Sequence, residues 1–353
     1  MTIYYIPTSE RGLKDNIFES HPESRHEGGN SAMDTEGRWR EACDKRGIAL
    51  HTYDLWRKEL AAPDDILLVQ NNPNETLFWR SFYYIKSKLQ KRRNYLLERR
   101  QFFRENYKYF PRRVLLQTET PIVMPYAYKG FDRLVKQGVF HRVFLVSREP
   151  KGYDFFNFFL CGTGGIASSY FNDPKEKFLV LMNANKIQHS FSNRELFSER
   201  LRAIKYFSQF PDFDLFGPGW DKPPKNPLFW HYKKYALRSW RGMVENKMKT
   251  VSQYKFMICY ENSAYPGYVS EKIFDCMAAG VVPVYLGAPD IETIVPKTCF
   301  IDKRDFKTYD ALYAHLKSLT EHDLEAYRKH MFAFIQDRPE SHLQSFIDKI
   351  IRD

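Results

Sequence analysis

Residues 254–289 read YKFMICYENSAYPGYVSEKIFDCMAAGVVPVYLGAP, and this stretch restricts the possible folds more than any other part of the chain. Tyr254–Tyr260 is a short apolar run rich in aromatics, the composition of a buried strand. Residues 261–267 are polar with Pro and Gly, which reads as a loop. Ser270 suits a helix N-cap, Ile273, Phe274, Met277 and Ala278 follow at helical spacing, and Gly280 suits the left-handed residue that closes a helix. VVPVYLG is then a second strand. Strand, loop, helix and strand in this order make a βαβ crossover, which requires a parallel sheet covered by helices. The loop ends at a helix N-terminus, where backbone N–H groups and the helix dipole favour an anion such as a phosphate. Lys272 stands in the first turn, against that dipole; a bound anion would remove the conflict.

Similar apolar runs recur along the chain: TIYYIP, ALHTYDL, DILLVQ, RVLLQTE and RVFLVS, then FLVLMN and FDLFG before the stretch above. Helical segments separate them, so the expected class is α/β with mainly parallel sheets. A chain of 353 residues has room for two domains with separate cores. Glycines and prolines gather between 150 and 177, the best place for an interdomain passage. We therefore expect one domain at 1–165, a second at 172–335, and a C-terminal helix at 336–353 that returns to the first. Leu324, Tyr327, Met331, Phe334 and Ile335 form one apolar stripe in a helical reading of 321–352. GTGG at 162–165 lacks the Lys-Ser/Thr of a phosphate loop and reads as a turn.

The formal charge is +11, and from Glu75 to Arg113 twelve Lys/Arg stand against three Glu, with aromatics interleaved. The segment reads as a helix packed on its domain with a solvated cationic face, or as a docking surface for an anionic membrane. A third reading, nucleic acid, finds no motif to support it, and no nucleic-acid partner is expected. The five cysteines show no C-x-x-C pair, so neither zinc nor a disulfide framework is indicated, and Cys259 and Cys276 read as buried thiols. The sequon at Asn74 reads as chance. No apolar run is long enough to span a bilayer, and MTIYYIPTSE is unlike a signal peptide. The location this suggests is cytoplasmic, alone or peripheral on the inner membrane face; a Golgi location would require an N-terminal anchor removed from this sequence.

The pattern ENS-x4-YVSEK-x7-GVVPVYLGAP resembles the donor-binding signature of the α1,3/4-fucosyltransferases, the family 10 glycosyltransferases. The similarity is strong over 250–300, weaker back to 178 and looser to 113. It implies the glycosyltransferase-B fold, two Rossmann-like domains facing across a cleft, and an inverting transfer from GDP-fucose. The acceptor it implies is O3 or O4 of N-acetylglucosamine or O3 of glucose in an oligosaccharide or glycolipid. It assigns Asn262, Tyr268 and Glu271 to the donor, and Lys272 to the leaving diphosphate. Glu261 reads as shaping the loop. An Arg on the helix FSERLRAIKYF also binds phosphate in the family; Arg200 fits by its place after ELFSE, and Arg202 fits when counted back from Gly217. Transfer needs a base for the acceptor proton, cations or dipoles for the leaving group, and a carboxylate near the oxocarbenium-like centre. Glu119, just past the strand RVLLQTE, matches the family's base, although Gln117-Thr118 stands where the family often has Thr-Gly. Glu271 and Lys272 join it as candidate catalytic residues.

Asp212-Phe213-Asp214 has the form of a metal-binding D-x-D, but the triplet is short and reads as strand. No metal or other cofactor is then required, with Mn²⁺ at most stimulatory. Two other readings stay open: an enzyme of this fold that uses another nucleotide sugar, and a non-catalytic, membrane-bound glycan-binding protein.

Overall fold

All nine apolar runs form strands. In the computed structural model these are β1 (Thr2–Ile6), β2 (Ala49–Thr52), β3 (Ile66–Gln70), β4 (Arg112–Gln117), β5 (Arg142–Leu145), β7 (Lys177–Met182), β8 (Phe213–Phe216), β9 (Tyr254–Tyr260) and β10 (Val282–Leu286). Two short edge strands, β6 (Asp154–Phe155) and β11 (Ile301–Asp302), had no sequence signal, because two residues cannot show a period. The structure describes residues 1–8, 10–19, 35–73, 95–157, 169–186, 192–224, 226–336 and 341–352. GTGG, Asn74, Cys161 and the cationic run 86–93 lie outside these residues.

The strands form two parallel sheets, ordered β2-β1-β3-β4-β5-β6 and β11-β10-β9-β7-β8. Counted from its own first strand, each sheet starts 2-1-3-4-5, the doubly wound order in which chain direction across the sheet reverses between the first and third strands. Central strands are covered on both faces: every residue of β3 is buried, and six of the seven in β9. That is why they read as near-continuous apolar runs rather than as alternating ones.

One unit holds the described residues of 1–20, 35–161 and 340–353; the other holds those of 162–339. In the first unit, the helix Tyr95–Asn106 lies on one sheet face, and Tyr95 and Phe103 join a buried cluster with Tyr4, Trp56, Leu67 and Leu115. The aromatic face of the described part of the basic segment is therefore core. Arg99 is buried too, its Nη2 donating to the Gln70 carbonyl and, at 2.8 Å, to that of Asn71. Over 95–106 the segment is a helix packed on its domain, followed by a 3-10 turn, Tyr107–Tyr109, and the start of β4 at Arg112.

The stretch 321–352 is two helices, Glu321–Gln336 and Ser341–Ile351, rather than one. The second belongs to the first unit: Phe346 stacks on Phe156 with ring centroids 3.7 Å apart and lies 5.2 Å from Trp39. Asp348 pairs with Arg46 at 3.1 Å, and Arg112 donates to the Ile351 carbonyl. Among the described residues no helix is long and apolar enough to cross a membrane.

Candidate active site

In a 2-1-3-4-5 sheet the ligand crevice lies beyond the carboxyl ends of the first and third strands. In the second unit these are the ends of β7 and β9, at Met182 and Tyr260. The chain after β9 turns at Glu261, runs through the loop and enters the helix Glu271–Ala278, with Ser270 at the N-cap. That helix closes with a Schellman turn: the Gly280 N–H donates to Met277 and the Val281 N–H to Cys276, and Gly280 has φ +69°. A Cβ there would lie 2.2 Å from the Phe171 carbonyl oxygen, so only glycine fits.

Glu261 organises the loop. Its carboxylate is fully buried and accepts from the Ser270 N–H at 2.7 Å and from the Ser270 hydroxyl at 2.6 Å. The N-cap serine thus makes no side-chain cap to its own helix; its hydroxyl is spent on Glu261. The Glu261 stem lies against Gly287 in the GAP turn after β10. A Cβ on Gly287 would stand 2.5 Å from Glu261 Cγ and 2.3 Å from the Tyr285 hydroxyl, which itself accepts from the Ala288 N–H at 3.0 Å.

Lys272 Nζ sits 2.7 Å from Ser270 Oγ and 3.4 Å from both Glu261 Oε2 and Glu271 Oε1. These carboxylates compensate the misplaced cation from within. The conflict with the dipole is thus already met inside the protein by carboxylates 3.4 Å away, and a bound anion would add to that. Burial would raise the Glu271 carboxyl, but Lys272 and Lys247 outweigh it and hold it down at about 2. Lys247 was not found from the sequence. Its side chain is largely covered and lies 2.5 Å from the fully buried Asp275, and Asp275 stands one turn after Glu271, the only hint the sequence carried.

Arg200 and Arg202 part company on the helix Phe197–Phe207. Arg200 is 6% exposed; its Nε and Nη2 donate to the Tyr260 carbonyl at 3.1 and 2.7 Å, and Nη2 also donates to Asn262 Oδ1 at 2.8 Å. Of the five guanidinium N–H groups, those on Nη1 are left without a partner among the described residues. Burial lowers the Arg200 pKa, opposed by Glu261, Tyr268 and Glu271. Asn262 holds the same constellation from its other end, its Nδ2 donating to the buried Tyr268 hydroxyl at 3.3 Å. The helix is clipped to this loop through an antiparallel bridge between Glu195 and Ser263. Arg202 has a side chain 62% exposed and pairs outward with Glu199 at 2.6 Å. The structure thus brings together Arg200, Asn262, Tyr268, Glu271 and Lys272 at the switch point and leaves Arg202 on the surface.

Glu119 lies in the first unit, half-buried, two residues past the end of β4. The strand ends around it are tied by amides: Asn71 and Thr118 exchange hydrogen bonds at 2.9 and 3.0 Å, Gln117 donates to the Ala127 carbonyl at 2.8 Å, and the Asn72 N–H donates to Gln117 at 3.1 Å. Gln117 and Thr118 therefore hold the turn that presents Glu119. The Tyr128 hydroxyl donates to the Glu119 carbonyl at 2.8 Å.

The D-x-D stands at the other end of the second sheet, where β8 begins. Asp212 accepts from Tyr313 and pairs with Lys317, while Asp214 pairs with Arg241 at 2.6 Å and accepts from Tyr254 at 2.7 Å. Among the described residues no three His, Cys, Asp or Glu side chains form a possible metal set. Cys259 and Cys276 are buried thiols.

Residues 181–338 match the family model described as glycosyltransferase family 10 (fucosyltransferase) C-term. An α-(1,3)-fucosyltransferase of Helicobacter pylori is 38% identical over 79 residues, covering 22% of this chain and 16% of that protein. α-(1,3)-Fucosyltransferase 4 of Bos taurus is 33% identical over 131 residues, covering 36% of this chain and 29% of that protein. These matches thus span less than a third of either relative. A crystal structure of an α1,3-fucosyltransferase with GDP superposes over all of this chain and 90% of that one, with a TM-score of 0.54 at 15% identity. That likeness establishes the fold, two Rossmann-like domains of the glycosyltransferase-B class.

Proposed function

We propose, from the premise that residues 181–338 form a family 10 glycosyltransferase (fucosyltransferase) C-terminal domain, that this chain transfers fucose from GDP-fucose to a hydroxyl of an acceptor glycan. The single observation that carries the reading is the convergence of Arg200, Asn262, Tyr268, Glu271 and Lys272 at the β7/β9 switch point, inside the span that matches the family. In this reaction the acceptor hydroxyl attacks the anomeric carbon from the face opposite the leaving group. Glu119 takes the hydroxyl proton, the bond from the anomeric carbon to the β-phosphate oxygen breaks, and an α-fucoside forms by inversion. Charge developing on the departing GDP is met by the Nη1 edge of Arg200 and by Lys272. Ser270 keeps Glu261 satisfied through its two hydrogen bonds, so Lys272 can turn toward phosphate without orphaning that carboxylate. Glu271 remains ionised at neutral pH, as a group that stabilises positive charge on the sugar requires. The attacking acceptor oxygen is O3 or O4 of N-acetylglucosamine or O3 of glucose.

Mass spectrometry with GDP-fucose and a panel of oligosaccharide and glycolipid acceptors tests the reaction. Thermal shift with GDP, UDP and CDP tests the donor. A mass increase of one deoxyhexose on an acceptor, with stabilisation by GDP alone, is the expected result. Stabilisation by UDP or CDP instead of GDP would transfer the site to another nucleotide sugar.

A further inference from the structure

Between Asp221 and Glu245 the chain carries six Lys/Arg and no carboxylate. This segment follows β8 and includes a 3-10 turn, Pro227–Tyr232, and a short helix, Lys233–Ser239. Of the eight large apolar side chains exposed among the described residues, four fall here: Leu228 at 72%, Trp230 at 55%, Leu237 at 47% and Met243 at 53%. A core does not leave such side chains in water, and their grouping within sixteen residues is not the usual scatter of single surface apolar groups.

The cations are placed with them. Lys234 Nζ, Arg238 Cζ and Lys205 Nζ stand 5.0, 5.5 and 5.7 Å from the centroid of the Tyr235 ring. Lys205 comes from the helix Phe197–Phe207, whose exposed side also carries Arg202. Among the described residues no carboxylate pairs with Lys205, Lys233, Lys234 or Arg238; Arg241 is held by Asp214. Exposed aliphatic groups, an exposed Trp, tyrosines and cations without a carboxylate partner within one segment, with Lys234, Leu237 and Arg238 exposed together on its helix, are the chemistry of the lipid headgroup boundary. Amphipathic rings settle there while Lys and Arg reach the phosphates.

We propose that the face formed by residues 227–243 docks on an anionic bilayer surface. An acidic protein partner would match the cations, but it would also need a shaped apolar groove to take up Leu228 and Trp230. A bilayer takes up both kinds of group without requiring a shaped groove. The helix is seven residues long, so side chains enter the interface and the backbone stays above it. This proposal does not depend on which sugar the enzyme transfers.

The test is co-sedimentation of the full chain with phosphatidylserine/phosphatidylcholine vesicles and with pure phosphatidylcholine vesicles, at 0.1 M and 1 M salt. Binding is expected only to the anionic vesicles and is expected to fall at high salt, as the Debye length shortens from about 10 to about 3 Å. Lys234→Glu with Arg238→Glu should lower partitioning at least about 25-fold, about fivefold for each cation lost. Trp230→Ser with Leu237→Ser should lower it about tenfold, and Trp230→Phe should abolish the blue shift of tryptophan emission that vesicles produce. Unchanged melting temperatures in these surface variants separate lost docking from lost folding. No sedimentation of the wild type overturns the proposal. So does binding that survives both double variants and disappears only when Lys88, Lys91, Arg92 and Arg93 are replaced by Glu. Lipid-independent self-association that Trp230→Ser abolishes, without vesicle binding, overturns it in favour of a protein interface.

Discussion

Replacing Lys272 by Ala tests the reading of the site most directly, because that ammonium serves both the fold and the proposed chemistry. Lys272 Nζ lies 3.4 Å from a carboxylate that is fully buried, Glu261, and 3.4 Å from one that is a third exposed, Glu271. At that distance and an effective dielectric of about 20, each attraction is about 5 kcal/mol before desolvation. The Glu271 pair is discounted because water screens it. Removing one partner of a buried pair costs about 3–5 kcal/mol. The two hydrogen bonds from Ser270 remain on Glu261, which points to the lower end, about 3 kcal/mol at pH 7. The cost depends on pH with a definite sign. Wild-type Glu271, held at about 2 against an ordinary 4.5, contributes stability that is present above 4.5 and lost as pH falls toward 2. Without Lys272 its carboxyl rises and protonates earlier, so wild type and variant converge in acid. Urea unfolding at pH 7 and pH 4 measures the gap. Glu261→Gln in the Lys272→Ala background should recover at least half of the stability at pH 7, since the amide keeps the Ser270 hydrogen bonds and removes the buried charge. Turnover should stay depressed about 10²–10³-fold in both variants, as for a lost donor to a developing anion. Equal stability of Lys272→Ala and wild type at pH 7, or an equal gap at both pH values, would refute the electrostatic argument; full turnover in the double variant would refute the leaving-group role.

Glu119→Gln should reduce turnover at least about 10²-fold with GDP affinity unchanged by calorimetry, because the role proposed for the residue is on the acceptor. Arg202→Ala should change stability by no more than about 0.5 kcal/mol and leave GDP affinity intact, as for an exposed ion pair, whereas Arg200→Ala should weaken GDP binding and lower the melting temperature by orphaning the Tyr260 carbonyl. Gly287→Ala should cost about 1–3 kcal/mol in urea unfolding, since the added methyl meets Glu261 and Tyr285. Turnover should persist in excess EDTA; complete loss restored by Mn²⁺ would place a required metal in the reaction.

What the sequence determined by itself was the class of fold and the position of the stretch that matches the family model. A parallel strand buried on both faces is apolar along its length, so β3, β4, β7 and β9 announce themselves locally. The loop and helix cap after β9 carry their own turn chemistry. The two-residue edge strands β6 and β11 could not be read, because their pairing exists only once a neighbouring strand is present. Only the tertiary structure shows that Arg200 is buried and Arg202 exposed. Two positions apart on a helix is about 200° of rotation, so one side chain lies under the end of β9 and the other in water. Both satisfy the same local pattern, and nothing local says which face is covered. The same holds for 227–243: aromatic and aliphatic residues in sequence suggest core, and only the packing of the second unit shows that Leu228 and Trp230 have no core to enter. Local composition sets what a segment can form. Which of its faces is buried is a property of the neighbours that long-range folding brings to it.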